Sequence, residues 1–241
     1  MTLDIEIWSD VVCPWCYIGK RRFEKALAQF PHRDAVNITW RSFELNPDAP
    51  AQSDETLDEH LAHKMGVSPA QAARLNARVT AQAAAEGLEY RLDLARPGNT
   101  FTAHRLLHLA AAHGVQGAAT ERLMRAYFTE GQPIGDPETL ARLATEVSLN
   151  ADEARATLAS DAWADETRAD EARAARLGIH GVPFFVLDGR YGVSGAQPPE
   201  VFLQALQTAW EAAQPLTLVG ADTATQDAAD AGVCDDDSCA I

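Results

Sequence analysis

Basic side chains are scarce in this sequence and absent from its last fifth. The 241 residues contain 20 Lys and Arg against 35 Asp and Glu, which gives a formal net charge of −15. No Lys, Arg or His follows Arg190. Because nucleic-acid phosphates and anionic membrane surfaces are bound by basic faces, this balance argues against both as partners.

Long apolar runs and a cysteine framework are also missing. No stretch approaches the roughly 20 apolar residues of a membrane-spanning helix. Residues 1–10 lack the basic and apolar regions of a secretory signal, so the expected location is the cytoplasm. Four cysteines are too few for a disulfide scaffold. In a reducing compartment, paired cysteines are more often catalytic or metal-binding than structural.

The first part of the sequence predicts a β-α-β unit followed by a helical block. A hydrophobic content of 46% is ample for a core. Residues 3–9 and 36–45 alternate between apolar and polar side chains, as half-buried strands do. Residues 13–30 between them predict a helix that Pro31 ends, a crossover long enough to join parallel strands. Residues 56–177 predict about six short, Ala-rich helices with clear capping residues.

The last part of the sequence predicts a β-β-α unit and a tail. Residues 184–187 are wholly apolar, as in a buried strand, and residues 188–189 are Asp-Gly, a strong hairpin-turn pair. Residues 190–193 are expected to form the returning strand, and residues 198–213 a final helix. Residues 214–241 are small, acidic and weakly apolar, which predicts a tail without a packed core.

Cys13 and Cys16 stand between the first strand and the first helix. The first turn of a helix has unpaired N–H groups and positive partial charge, which stabilise a thiolate placed there. Pro14 suits the first helical position, which needs no N–H. We therefore expect Cys13 to be an exposed nucleophile and Cys16, one turn further in, a covered resolving thiol. Further positive charge on the same helix comes from Lys20, Arg21, Arg22 and Lys25.

A zinc half-site or a pair of structural thiols is the alternative interpretation of this motif. Zinc normally takes four ligands, often from two paired clusters. The other cysteines, Cys234 and Cys239, are at the far end of the sequence, and no His lies near either pair. The strand-to-helix context favours redox chemistry over metal binding.

These features together resemble a thioredoxin-fold protein of the DsbA type. The resemblance rests on the CxxC motif that opens the first helix and on Val182-Pro183 just before an antiparallel hairpin. The third feature is the helical block between the two β-containing halves. Residues 9–19 (SDVVCPWCYIG) and 99–106 are especially similar to the FrnE subgroup, cytoplasmic relatives of the periplasmic oxidase. The similarity covers about residues 3–213.

The resemblance implies an α/β, thioredoxin-like fold with a central mixed sheet and a large inserted helical domain. Residues 1–50 and 165–213 would form the thioredoxin-like domain, residues 51–164 the insertion, and residues 214–241 the C-terminal tail. The implied activity is that of a thiol:disulfide oxidoreductase or isomerase acting on protein or small-molecule disulfides. No cofactor and no metal is expected, and glutathione or a thioredoxin system is a candidate redox partner.

The resemblance also implies roles for single residues. Val182-Pro183 would be a cis peptide packed against the dithiol, with the backbone of Val182 pairing with the substrate chain. Pro183 thus joins the two cysteines as a catalytic residue. Trp15 and His104 are candidate substrate contacts, and His104 could instead tune Cys13.

Three residues outside the dithiol have alternative interpretations. His104 and His108 have the four-residue spacing of metal ligands, but partly buried, hydrogen-bonded histidines are the more common outcome of such spacing. Asp10 could assist proton transfer, although a turn residue is the commoner role.

Two further functions remain open at this stage. A kappa-type glutathione transferase or a related isomerase shares the helix-inserted fold but uses a single Ser or Cys, which the two cysteines argue against. A thiol-based metal-binding or holdase protein is the non-enzymatic alternative. Cys234 and Cys239 are candidate accessory redox residues, an internal partner for the first pair, or else metal-binding or incidental thiols. The oligomeric state is left open.

Overall fold

A computed structural model describes residues 2–213, which form an α/β fold. A short 3-10 turn at Arg33–Ala35 precedes the second strand. In chain order the elements are β1 (Leu3–Ser9), α1 (Pro14–Gln29), β2 (Val36–Ser42), α2 (Leu57–Met65), α3 (Pro69–Ala85), α4 (Phe101–Ala112), α5 (Gln116–Phe128), α6 (Pro137–Thr145), α7 (Ala151–Leu158), α8 (Ala164–Arg176), β3 (Phe184–Leu187), β4 (Tyr191–Ser194) and α9 (Pro199–Ala212).

Strand β1 lies in the middle of a mixed sheet whose strand order is β2-β1-β3-β4. It pairs in parallel with β2, from Leu3 opposite Val36 to Ser9 opposite Ser42. It pairs antiparallel with β3, and β3 pairs antiparallel with β4. The predicted β-α-β and β-β-α halves are therefore confirmed, with α1 as the crossover between the parallel strands.

The second strand ends earlier than the alternation predicted, at Ser42 rather than at residue 45. The backbone N–H of Leu45 donates to the carboxylate of Asp10 at 2.8 Å. A side chain therefore takes the place of the next ladder hydrogen bond, and the chain leaves the sheet. The other predicted strands are shifted by at most one residue, since β4 begins at Tyr191.

Helices cover both faces of the sheet. On one face α8 packs against Trp8, whose indole N–H donates to the carbonyl of Asp170 at 3.0 Å. On the other face α1 and α9 contribute a cluster of aromatic rings in which Phe23, Phe185 and Phe202 lie 4.6 to 5.7 Å apart between centroids. This face also buries Leu3, Ile5, Ile7, Ala26, Phe30, Leu206 and Ala209.

Seven helices, α2 to α8, lie between β2 and β3, where the sequence predicts about six. Two of these helices begin at reciprocal capping boxes: Thr56 accepts from the N–H of Glu59, and Ser68 accepts from the N–H of Gln71. Within residues 2–213, no helix has both the length and the apolar character that a membrane crossing requires.

The helical insertion shares one apolar core with the dithiol end of the sheet. Cys13, Cys16 and Ile18 belong to the same buried cluster as Leu106 and Tyr127 of the insertion. The division of the chain at residues 50/51 and 164/165 stays a prediction. Helix α8 packs on the sheet, as the assignment of residues 165–213 to the thioredoxin-like part requires.

The basic residues of α1, which the sequence predicts to add positive charge further along this helix, are all paired with carboxylates. Arg22 and Lys25 each lie 2.6 Å from Glu86 of the insertion. Lys20 and Arg21 contact Glu24 and Glu121. Three carboxylates thus face four cations, and one unit of positive charge remains on this part of α1.

Glu121 of α5 is the centre of one of these networks. Its carboxylate accepts from Tyr17 at 2.5 Å and from Lys20 at 2.7 Å, and Arg21 donates to it as well. Partial burial opposes ionisation, but the hydrogen bonds from Arg21, Lys20 and Tyr17 outweigh it and lower the pKa of Glu121 from 4.5 to about 2. The network joins the insertion to the helix that carries the dithiol.

We predict that Leu206→Ala destabilises the protein by about 2–5 kcal/mol, because Leu206 is fully buried between α9 and the sheet and its truncation leaves a cavity. The matched control is Leu75→Ala on α3, where the side chain is 37% exposed and the cost should be about 0.5 kcal/mol or less. Urea unfolding of the three proteins measures both values. Equal losses for the two variants would contradict this assignment of the core.

We also predict that Glu121→Gln removes part of the acid sensitivity of folding. A carboxyl whose folded pKa is lowered contributes stability above its unfolded pKa and loses it as the pH falls through the folded pKa. For Glu121 this window runs from 4.5 down to about 2, with an upper limit of about 3 kcal/mol. The free energy of unfolding of Glu121→Gln should therefore change less across that window than that of the wild type.

The control for this prediction is Glu24→Gln. Glu24 contacts the same two cations, Lys20 and Arg21, from a more exposed position. Glu24→Gln leaves Glu121 paired with Lys20 and Arg21, so the acid-dependent contribution of Glu121 should remain in this variant. If Glu121→Gln keeps the wild-type slope of unfolding free energy against pH, the network does not stabilise the fold through the ionised carboxylate.

Candidate active site

Cys13 occupies the N-cap of α1, the position that the motif predicted. Its backbone is extended (φ −84°, ψ 113°), and Pro14 takes the first helical position. The N–H of Cys13 donates to the carbonyl of Asp10 at 3.1 Å, and the N–H of Cys16 donates to the carbonyl of Cys13 at 3.0 Å. These two turns bring the sulfur atoms to one side of the helix start. Both residues are free thiols.

Both thiols are buried, which corrects the expectation that Cys13 is exposed. Cys13 is 4% exposed and Cys16 is 1% exposed. Tyr90, in the segment between α3 and α4, donates its hydroxyl to the carbonyl of Pro14 at 2.7 Å and so closes the helix start on the side of the insertion. The expectation failed because the covering residues are far from the motif in sequence.

The loop before β3 covers the dithiol on the opposite side. The Val182-Pro183 peptide bond is cis, as the resemblance implied. The sulfur of Cys13 lies 3.6 Å from the carbonyl oxygen of Val182. A Cβ atom at Gly19 would lie 2.9 Å from Cγ of Pro183, so the absence of a side chain at Gly19 lets this loop approach α1.

Two concave regions are lined by neighbours of the dithiol, one by Val182 and Pro183 and the other by Val12 and Pro14. An open cleft of about 380 Å³ runs along the cis-proline loop and is bordered by His180, Val182 and Ser194. A largely apolar cavity of about 130 Å³ lies on the insertion side, between Pro14 and the helices, with Lys64 among its lining residues. Trp15, 44% exposed, is the large apolar side chain that the active-site helix presents to solvent.

The environment of Cys16 disfavours its thiolate. Burial raises the pKa of the Cys16 thiol well above its usual value, and the neighbouring Cys13 raises it further. The hydroxyl of Ser9 and the backbone N–H of Asp10 act in the opposite direction. Cys16 therefore holds its proton, as a resolving thiol does before the mixed disulfide forms.

His104 is deeply buried, with 1% exposure, so it offers no surface to a substrate in this conformation. Its Nε2 atom lies 3.5 Å from the Asp10 carboxylate, while His108, one turn later, lies 3.2 Å from Asp170. The two imidazoles thus contact different carboxylates rather than one common point. Across residues 2–213 there is no cluster of three or more His, Cys, Asp or Glu side chains arranged to hold a metal.

Asp10 contacts residues outside its own turn. Its carboxylate accepts from the N–H of Leu45 at 2.8 Å and from that of Val12 at 3.5 Å. Asp10 is 1% exposed and contacts His104 through the same carboxylate. It therefore fixes the segment that leads into Cys13.

Ser9 and Tyr90 contact the dithiol region and were missed by sequence reasoning. Ser9 is part of the segment quoted for the resemblance, directly before Asp10, and its position at the end of β1 was the available signal. Tyr90 belongs to no motif, so no sequence signal identified it. The accessory residues Cys234 and Cys239 lie outside the residues that the structure describes.

The chain is similar to known proteins over the range that contains the dithiol and the cis-proline loop. A model of the DSBA-like thioredoxin domain family matches residues 4–207. The crystal structure of a probable DsbA oxidoreductase from Streptomyces coelicolor is similar, with 50% sequence identity, a TM-score of 0.85, and coverage of 95% of this chain and 100% of that chain. The Bacillus subtilis protein YwbO is 29% identical over 208 residues, which are 86% of this chain and 96% of YwbO.

The fold is also similar to that of the cytosolic disulfide reductase DsbM from Pseudomonas aeruginosa, solved with GSH. The TM-score is 0.61 at 18% identity, with coverage of 86% of this chain and 99% of that chain. Membership of the FrnE subgroup stays a prediction. The family match extends from β1 into α9 and includes the dithiol and the cis-proline loop, so the chain belongs to the DSBA-like thioredoxin domain family.

Proposed function

We propose that the protein is a cytoplasmic thiol:disulfide oxidoreductase or isomerase that acts on protein disulfides, and on small disulfides, through Cys13 and Cys16. The observation that carries this proposal is the pair of free thiols at the start of α1, with the carbonyl of Val182 3.6 Å from the Cys13 sulfur. Membership of the DSBA-like family supports redox chemistry at this pair.

The proposed reaction has two exchange steps. The Cys13 thiolate attacks a substrate disulfide, forms a mixed disulfide, and releases one substrate thiolate, which takes up a proton. Cys16 then loses its proton and attacks the Cys13 sulfur, which forms the Cys13–Cys16 disulfide and releases the second substrate thiolate. Two electrons pass from the dithiol to the substrate. The reverse sequence oxidises a substrate dithiol.

The two concave regions favour a substrate that reaches the dithiol as an extended chain. Because Cys13 is only 4% exposed, a flat protein surface cannot contact its sulfur. The open cleft beside Val182 and Pro183 accepts an extended backbone. The apolar cavity beside Pro14 accepts an apolar side chain next to the substrate cysteine, and the exposed Trp15 adds apolar surface.

Glutathione or a thioredoxin system is the proposed redox partner. DsbM, which shares the fold, is described as a cytosolic disulfide reductase and was solved with GSH, which supports glutathione as the first partner to test and the cytoplasm as the first location. A glutathione-dependent isomerase is the second candidate, since 2-hydroxychromene-2-carboxylate isomerase also shares the fold, with a TM-score of 0.61 at 15% identity. Dependence on both cysteines separates the two candidates.

We predict that Cys13→Ser abolishes disulfide exchange, whereas Cys16→Ser retains the first step and accumulates mixed disulfides. The reason is that only Cys13 contacts the substrate-facing loop, while Cys16 is needed for resolution. Insulin reduction measures turnover, and mass spectrometry of the protein after reaction with glutathione disulfide measures trapping. Full turnover by Cys16→Ser would favour the single-thiol isomerase, and activity of Cys13→Ser would contradict the proposed dithiol mechanism.

A second prediction concerns Cys234 and Cys239, which we propose as an internal redox partner of the first pair. The tail is acidic around both cysteines, and neighbouring carboxylates disfavour thiolates, so its dithiol should be the more reducing of the two. Cys234→Ser/Cys239→Ser should therefore slow reduction of the Cys13–Cys16 disulfide. Deletion of residues 214–241, which removes the same two cysteines, should slow this reduction as well. Identical rates in the wild type, the double variant and the deletion variant would exclude this role.

A further inference from the structure

Two buried polar atoms near the dithiol have no hydrogen-bond partner. They are the hydroxyl oxygen of Ser9 and Nε2 of His104, on residues that are 5% and 1% exposed. An unpaired polar atom in a protein interior destabilises the fold, because it has lost its hydration without gaining a partner. Such atoms are rare in folded proteins and indicate a site for water, an ion or a reacting group.

Both residues line the same small cavity. Its volume is about 10 Å³, which is close to the ~10–15 Å³ that one water molecule needs. The hydroxyls of Ser42 and Thr120 also line this cavity. They already bond to His108 at 3.2 Å and to the carbonyl of Gln116 at 2.9 Å, so their remaining lone pairs are acceptors. The cavity therefore offers several polar partners to a single water.

The Ser9 hydroxyl and Nε2 of His104 each lie near a group that can release a proton or stabilise a protonated neighbour. The hydroxyl of Ser9 lies beside Cys16 and favours its thiolate. Nε2 of His104 lies 3.5 Å from the carboxylate of Asp10. Because Cys16 is 1% exposed, bulk water does not reach its sulfur, and its proton must leave to an internal acceptor.

We propose that this cavity holds one ordered water molecule, and that Cys16, Ser9, the water and the His104–Asp10 pair form a proton relay for the resolving step. The proposal rests on the dithiol function proposed above. As Cys16 attacks the Cys13 sulfur, its proton passes to Ser9, Ser9 passes its own proton to the water, and the water passes one to Nε2 of His104. The substrate thiolate leaves, and the Asp10 carboxylate stabilises the imidazolium.

The charges around His104 support its part as acceptor. Burial alone would lower the pKa of this imidazole, but Asp10 outweighs burial, with Glu44 and Glu171 adding to its effect, and the net pKa is raised. Asp10 therefore favours the protonated form of His104 despite its burial. Asp10 is held in place by the N–H of Leu45.

The test uses a chromogenic aromatic disulfide that releases one coloured thiolate in each exchange step. The first phase of colour reports attack by Cys13, and the second reports attack by Cys16. Ser9→Ala and His104→Gln should slow the second phase at least about tenfold and leave the first unchanged, since proton transfer by a positioned group contributes about 10²–10⁴-fold to such steps. In the wild type, heavy water should slow the second phase more than the first.

The matched control is Thr167→Ala. Thr167 of α8 also carries a fully buried hydroxyl, but this hydroxyl donates to the carbonyl of Trp163 at 2.9 Å and does not line the cavity. Its second phase should stay at the wild-type rate. Ser9→Thr retains a hydroxyl and should restore most of the rate that Ser9→Ala loses.

The outcomes separate the relay from the dithiol function. A wild-type protein without a first phase would overturn the dithiol function itself. A normal first phase with equal second phases in Ser9→Ala and Thr167→Ala would overturn the relay alone. If Ser9→Ala and His104→Gln unfold, the wild-type measurement decides: a second phase no more sensitive to heavy water than the first overturns the relay.

Discussion

Burial of the two thiols is the constraint on which the rest of the site depends. A helix start that carries a dithiol needs only a turn and a proline, but here the insertion and the cis-proline loop close over it. In the proposed function, substrate therefore reaches Cys13 as a narrow segment along the loop, because Cys13 is 4% exposed. Cys16 must exchange its proton inside the protein, because its sulfur is out of reach of bulk solvent. The apolar core that excludes water thus imposes both a substrate geometry and a proton route.

Some of the many acidic side chains of this protein form ion pairs with α1. Helix α1 carries four cations, and Glu86 and Glu121 of the insertion form ion pairs with them. Partly buried pairs with several hydrogen bonds are worth more than exposed pairs, which contribute about 0.2–1 kcal/mol. Their position, at the contact between α1 and the helices α3 and α5, makes them a link between two parts of the chain. As a result, the cationic side chains of α1 interact with carboxylates rather than with the dithiol.

The mixed sheet explains why the site assembles where it does. The C-terminal end of β1 carries Ser9 and leads into Asp10 and the dithiol, and β2 runs parallel to it and ends at Ser42. Parallel strands end at the same edge, so the hydroxyls of Ser9 and Ser42 and the carboxylate of Asp10 meet there. Helix α4 then brings His104 to that edge. This edge of the sheet therefore holds the two unpaired buried atoms, the Ser9 hydroxyl oxygen and Nε2 of His104, next to apolar packing.

The sequence by itself determined the strands of the two β-containing halves, most helix starts, the dithiol at the start of α1 and, through a resemblance, the cis-proline loop. These features depend on short spacings, such as one helical turn between Cys13 and Cys16. Only the tertiary structure decided that Cys13 is covered, that the α1 cations are paired, and that Ser9 and His104 share a cavity. Those contacts join residues far apart in the chain, as with the 101 positions between Lys20 and Glu121 and the 169 between Cys13 and Val182. No local pattern encodes which side chains meet across such distances, because packing of the whole insertion against the sheet sets them.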